Sequence, residues 1–306
     1  MDKVDQLQIH FDSNSLWLVN ITLAIIMFGV ALDITITDFK RLFKHPKLLL
    51  IGVFLQFLAV PFVTLLFVYL LKPQPSIALG MFMIAACPGG NVSNFMSKIA
   101  NGNVALSISL TAFATVMSLF MTPINLAIWA SIYEPTRLIL KTIHINPLEV
   151  TKIVSLILGI PLFLGMYLRH KKPNFAIKLA KLLKPISVLI FFAFISVAFY
   201  NNLDVFTAHI HHVFYIVFLL NGMLYIVGFL VAKYSNLSYA DQKTLSIETG
   251  IQNTGLGLML VFLFFQGLGG MALIVAFWGI WDIFSGLVLA YFWNYKKAIF
   301  NFFIAK

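Results

Sequence analysis

The chain has 306 residues, of which 60% are apolar and only 10% charged, and its mean hydropathy is +0.94. A soluble domain carries roughly 25% charged residues, so these values exclude soluble globular, disordered and fibrous classes. The net charge of +10 comes from 21 basic and 11 acidic residues, too few for a nucleic-acid surface and better read as a record of loop orientation in a membrane.

The chain opens on a polar segment, 1–15, with Asp2, Asp5 and Asp12. It lacks the basic start of a cleavable signal peptide, so the first apolar stretch is expected to stay in the protein. Nine stretches then approach or exceed the about 20 apolar residues that cross a bilayer: 16–36, 48–71, 76–100, 103–131, 150–168, 185–203, 212–232, 244–266 and 269–293. They are too long, and lack the alternation, for barrel strands. The sequence predicts an all-α polytopic protein with nine transmembrane helices, a single unit over 1–306.

Sixteen of the 21 basic residues fall on one side if the connections alternate. These lie in 37–47, at Lys98, in 169–184, at Lys233 and Lys243, and at Lys296, Lys297 and Lys306; Lys3, Lys72, Arg137, Lys141 and Lys152 fall on the other. The positive-inside rule then puts the N-terminus outside and the C-terminus in the cytoplasm, in a multi-pass cell-membrane protein. The longest basic linker, 169–184, reads either as a short helix on the anionic inner leaflet or as a solvated loop. His209, His211 and His212 fall in an outward loop, solvated or able to bind a metal. Cys87, the sole cysteine, excludes an intrachain disulfide and a cysteine metal cluster.

Two spans break the helical rule alike. The third carries Pro88-Gly89-Gly90 at mid-membrane, and the eighth carries Gly250, Gly255 and Gly257 within a polar cluster. Proline removes a donor and glycine adds freedom, so both helices should unwind there. Unwound backbone at that depth must be buried in protein or line a cavity. The two spans run in opposite directions, the pattern of an inverted-repeat transporter with crossed discontinuous helices. Glu248 lies in the second break, and a carboxylate there costs a few kcal/mol without a partner. No lysine or arginine lies inside a span except Lys98 and Lys152 near ends, so a bound cation is the natural partner. Neutral oxygens surround it in sequence: Thr249, Gln252, Asn253 and Thr254 beside it, Ser93 and Asn94 after the first break, and Gln56 midway along the second span. Ser107 and Thr111 share a helix face, although back-bonding to their own helix is an alternative. Hard oxygen donors suit Na+ and not a transition metal. A proton-linked exchanger titrating Asp282 and Glu248, and an intramembrane enzyme using Glu248 as acid or base, are the other readings. No nucleotide-binding or hydrolase motif appears.

The strings CPGGNVSN (87–94), GNVALS (102–107) and KTLSIETGIQNTGLG (243–257) resemble the signature segments of the bile acid:sodium symporter family, and the order of spans matches over nearly the whole chain. The resemblance implies an inverted five-helix repeat lacking its first helix. It divides the chain into a core of 48–131 with 212–293 and a panel of 16–36 with 150–203. It implies two Na+ ions as coupling ions, with no other cofactor. One site would use Ser93, Asn94, Ser107, Thr111 and Glu248; the other Gln56, Glu248, Gln252 and backbone oxygens near Thr249 and Ile251. The substrate would be an organic anion, bile acid-like or a small carboxylate, drawn to the half-helix N-termini near Asn91 and Asn253. Asn91 and Asp282 depart from the family pattern. With no basic residue to pair with it, Asp282 is expected to face the substrate crevice.

Overall fold

In the computed structural model, residues 16–142, 147–200 and 203–304 are described. Among them helices joined by short turns make up nearly all of the chain, and each of the nine apolar stretches is mostly helix where it is described. The helices are α1 Leu16–Ala31, α2 Ile36–Phe43, α3 Pro46–Leu71, α4 Pro75–Ala86, α5 Val92–Ile99, α6 Val104–Ile132 and α7 Glu134–Thr142. There follow α8 Pro147–Lys171, α9 Pro173–Tyr200, α10 Leu203–Tyr234, α11 Tyr239–Gly250, α12 Thr254–Phe265 and α13 Gly269–Ile304.

Both anticipated breaks are present. α4 and α11 each stop after 12 residues, and α5 and α12 resume the same two spans beyond unwound stretches at 87–91 and 251–253. Four described segments are individually long and apolar enough to cross a bilayer: Pro46–Leu71, Val104–Ile132, Val213–Tyr234 and Gly269–Tyr295. Apolar side chains lie inside and outside. Phe82, Leu258, Val261, Met271 and Trp278 pack in the largest buried cluster, where α4, α12 and α13 meet. Leu50, Leu70 and Phe163 stand outward and exposed, as lipid-facing residues do. At the other side, α1 packs along α8 and α9, and Leu32 meets Ala176 and Ala180.

Several connections differ from the sequence expectation. The 37–47 loop is largely α2, started by a reciprocal cap in which Thr35 N and Oγ1 both donate to Asp38 Oδ2 at 2.9 and 2.6 Å. The 169–184 linker is neither a separate surface helix nor a loop. α8 runs to Lys171, and Pro173 opens α9, which continues to Tyr200. Proline suits a first helical turn, and burial of Ala176 and Ala180 against α1 holds the following turns. The histidine triplet lies within α10, not in a loop; His211 is exposed. Lys243, read as a turn residue, belongs to α11 and is 5% exposed. Its Nζ donates to the Ala100 carbonyl and, at 2.7 Å, to that of Asn101, so its charge caps the C-terminal end of α5. The 1–15 segment lies outside the described residues.

α3 holds one feature invisible to sequence periodicity, a widened π-turn over Leu55–Ala59. Pro61 cannot donate to the Phe57 carbonyl four residues back, and Asn125 Nδ2 from α6 donates to that carbonyl at 3.1 Å instead. The π-turn contains Gln56 and buries its side chain.

Candidate cation site at the crossed helices

The two unwound stretches pair with each other as a single antiparallel backbone bridge, Gly89 with Gln252. Gly90 N donates to Ile251 O at 3.2 Å, and Asn253 N to Pro88 O at 2.8 Å. Backbone groups freed by the breaks are thus partly satisfied across the crossing, which lets irregular chain persist at membrane depth. The approach is too close for side chains: a Cβ on Gly90 would lie 2.8 Å from Gln252 O, and one on Gly89 would lie 3.0 Å from Glu248 Oε2. Thr122 Oγ1 donates to Ala86 O at 2.8 Å, finishing α4.

Glu248 sits on the last turn of α11 and is 6% exposed. Three hydroxyls converge on it from two other helices. Ser93 Oγ on α5 and Ser107 Oγ on α6 both donate to Oε1. Thr111 Oγ1 lies 3.0 Å from Oε2 and 3.2 Å from Oε1. Thr111 also reaches Asn94 Oδ1 at 3.4 Å. The i, i+4 spacing of Ser107 and Thr111 therefore aims both at the carboxylate, and the back-bonding reading does not describe them. The ion pairs Arg41–Asp38 and Arg137–Glu134 lie away from the crossing, and among the described residues the groups that bond to Glu248 are hydroxyls. Its charge is met by neutral oxygens alone.

A second cluster lies beside the first. Gln56 Nε2 donates to Cys87 O at 2.8 Å and to Gln252 Oε1 at 2.9 Å. Gln252 Nε2 donates in turn to Thr249 O at 2.9 Å. These carbonyls, Cys87 O and Thr249 O, belong to the C-terminal ends of α4 and α11, where the helix dipole is negative. A cavity of about 20 Å³ is lined by Gln56, Glu248 and Thr249 together with apolar side chains of α3, α6 and α11. That is room for about one water-sized particle. Ile251 is buried, and its carbonyl already accepts from Gly90. Cys87 is fully buried, consistent with packing. No group of three or more His, Cys, Asp or Glu side chains suited to a metal ion occurs among the described residues.

The side chains of the remaining sequence candidates do not bond to Glu248 or Gln56. Asn91 precedes α5, is exposed, and makes no side-chain cap to it. Asn253 is half-buried and its Oδ1 accepts from Leu256 N at 3.0 Å, capping α12. Asp282 on α13 is 3% exposed, and its oxygens are engaged by Gln252 N at 3.0 Å and Asn221 Nδ2 at 3.1 Å. This burial differs from the expected crevice-facing position. The cause is the unwound Gln252 peptide, whose free N–H offers the carboxylate a donor inside the protein. Sequence reasoning missed Asn221, Asn125 and Thr122, which all bond to carbonyls or acids around the crossing. A lone asparagine in an apolar span, as in FLLNGMLYIV, was the available signal.

Comparison with known proteins shows the family. The family model of the Sodium Bile acid symporter family matches residues 20–209. An uncharacterized sodium-dependent transporter of Bacillus subtilis (strain 168) is 31% identical over 91% of this chain and 83% of its own length. The human ileal sodium/bile acid cotransporter is 26% identical over 92% of this chain and 80% of its own. A chloroplastic protein of Arabidopsis thaliana named as a sodium/metabolite cotransporter is 29% identical over 78% of this chain, which spans 57% of that longer protein. Both family and relatives are transporters, so the intramembrane-enzyme reading of Glu248 is set aside. By the family match and by the Bacillus relative alike, the chain belongs to the sodium bile acid symporter family.

Proposed function

We propose that the protein is a secondary active symporter that couples inward Na+ flow to uptake of an organic anion, bile acid-like or a small carboxylate, by alternating access. The observation that carries this reading is Glu248, a buried carboxylate ringed by Ser93, Ser107 and Thr111 with no basic partner among the described residues. A bound Na+ would neutralise it. The first ion is assigned to Ser93, Asn94, Ser107, Thr111 and Glu248. The second is assigned to Gln56, Glu248, Gln252 and the backbone oxygens of Thr249 and Ile251. Gly89, held against both Glu248 and Gln56, would bring the two ions under one backbone segment, so that filling both orders the crossing.

The anion is assigned to the side of the crossing where Asn91 is exposed and α5 starts without a side-chain cap. N–H groups at that uncapped helix start, and the positive dipole end of α12 beside Asn253, would favour its negative end. Movement of a core, 48–131 with 212–293, against a panel, 16–36 with 150–203, would expose this site to each side in turn. The driving force is adequate: each inward Na+ releases about 2.3 kcal/mol per 100 mV and about 1.4 kcal/mol per tenfold gradient. Two ions less one anion leave about 5 kcal/mol, enough for roughly three orders of magnitude of accumulation.

Uptake of a labelled bile acid and of labelled small carboxylates into proteoliposomes tests the reading. An inward Na+ gradient should drive accumulation of one of these classes, and K+ in its place should not; equal uptake in both salts refutes it. An imposed pH gradient that drives uptake without Na+ would favour the proton-linked alternative. Ser93→Ala and Gln56→Ala each remove one neutral ligand. Each should raise the Na+ giving half-maximal uptake about threefold to tenfold, the cost of one hydrogen-bonding oxygen, with the maximal rate largely kept.

The N-terminus is assigned to the outside and the C-terminus to the cytoplasm from the basic residues of the connections. In a Cys87→Ala background, a cysteine at position 5 should react with an impermeant thiol reagent in intact cells. One at position 174 should react only after permeabilisation. Equal labelling of both in intact cells would refute this orientation.

A further inference from the structure

Asp282 is the second acid buried near the crossing, and the ion assignments leave it without a task. Its surroundings are specific. Oδ2 accepts from the backbone N–H of Gln252 at 3.0 Å, and Oδ1 accepts from Asn221 Nδ2 at 3.1 Å. The same Asn221 amide group donates to Gly250 O at 2.9 Å, and its Oδ1 accepts from Trp281 Nε1 at 3.2 Å. One turn along, Tyr225 and Ser285 pair at 3.0 Å between α10 and α13. Gln252 N–H and Asn221 Nδ2 are both donors, an arrangement that serves an acceptor-only carboxylate. A charge-assisted bond of this type is stronger than a neutral one. The peptide it holds belongs to Gln252, whose Oε1 accepts from Gln56 and whose Nε2 donates to Thr249 O.

We propose that Asp282 is a positioning residue for sodium binding: by gripping the Gln252 peptide from α13, and by orienting Asn221 on the Gly250 carbonyl, it holds the Gln252 side chain in the second ion cluster. The inference rests on the sodium-coupled reading above. It gives α13 and α10 a direct mechanical hold on the ion site without contact to ion or anion. The unwound 251–253 segment has no helix of its own to fix it. Its position depends on the bridge to 88–90 on one side and on Asp282 with Asn221 on the other.

Asp282→Asn tests this, because an asparagine offers only one oxygen and turns an amide donor toward a second donor. In proteoliposomes its half-maximal Na+ concentration should rise about tenfold. The maximal rate at saturating Na+ and the KM for the anion should each stay within about twofold of wild type, since neither ligand is touched. An unchanged Na+ requirement with an altered anion KM would instead make Asp282 a substrate contact and overturn the proposal. So would no change in either. Should Asp282→Asn fail to fold, Asn221→Ala removes the other donor and the Gly250 tether. It should raise the Na+ requirement about threefold, and wild-type Na+ dependence in that variant overturns the proposal. Wild-type uptake that ignores Na+ would refute the sodium-coupled reading itself, a result separate from any shift between variants.

Discussion

Glu248→Gln should reduce Na+-driven uptake to background, a fall of about a hundredfold or more, while the protein still folds. Glutamine keeps the length and one acceptor oxygen, so Ser93, Ser107 and Thr111 retain a partner. The formal charge that both proposed ions share is lost. Removing one member of a buried charge pair costs about 3–5 kcal/mol, which exceeds the two decades named. The sign of the stability effect separates this from simple damage. Without Na+ the buried carboxylate is uncompensated, so the variant should be at least as stable as wild type in Na+-free buffer. It should also lose the rise in Tm that Na+ gives the wild-type protein. Wild-type uptake in Glu248→Gln would remove the residue from the site.

Gly90→Ala should be as damaging by a different route. Its methyl group would lie 2.8 Å from Gln252 O and 3.3 Å from that carbonyl carbon. Both are backbone atoms of the opposite broken helix, so no side-chain rotation relieves the overlap. The two segments must separate, straining the Gly90–Ile251 and Asn253–Pro88 bonds and displacing Gln252. Overpacking of this kind costs about 1–3 kcal/mol, enough to lower Tm by several degrees and to abolish uptake through the ion site. Gly222→Ala is the control: a Cβ there meets nothing within 4 Å, and alanine favours helix. Its uptake and Tm should match wild type. Equal tolerance of both substitutions, read from Tm and uptake rate, would show that the crossing is looser than its geometry.

The breaks were legible because proline and glycine act locally. Pro88-Gly89-Gly90 and the polar run around Gln252 announce unwinding whatever packs against them. Glu248 was legible because a carboxylate in an apolar span is costly anywhere. Other features depend on direction, and an apolar span conceals direction when every face of the helix is apolar. The π-turn that buries Gln56 follows from Pro61 acting with Asn125 on a distant helix. The inward turn of Asp282 depends on a backbone N–H that local sequence pattern does not reveal, that of Gln252, thirty residues earlier in the chain. The 169–184 stretch misled because lysines on one face masked the small residues, Ala176 and Ala180, that pack on α1.

Equilibrium binding of radioactive Na+ to the purified protein in detergent tests the central claim most directly, since it needs no knowledge of the anion. Saturable binding of about two Na+ per chain, not displaced by K+ and absent in Glu248→Gln, is the expected result. An absence of saturable binding, or binding that survives intact in Glu248→Gln, would contradict the assignment of the crossed helices as a sodium site.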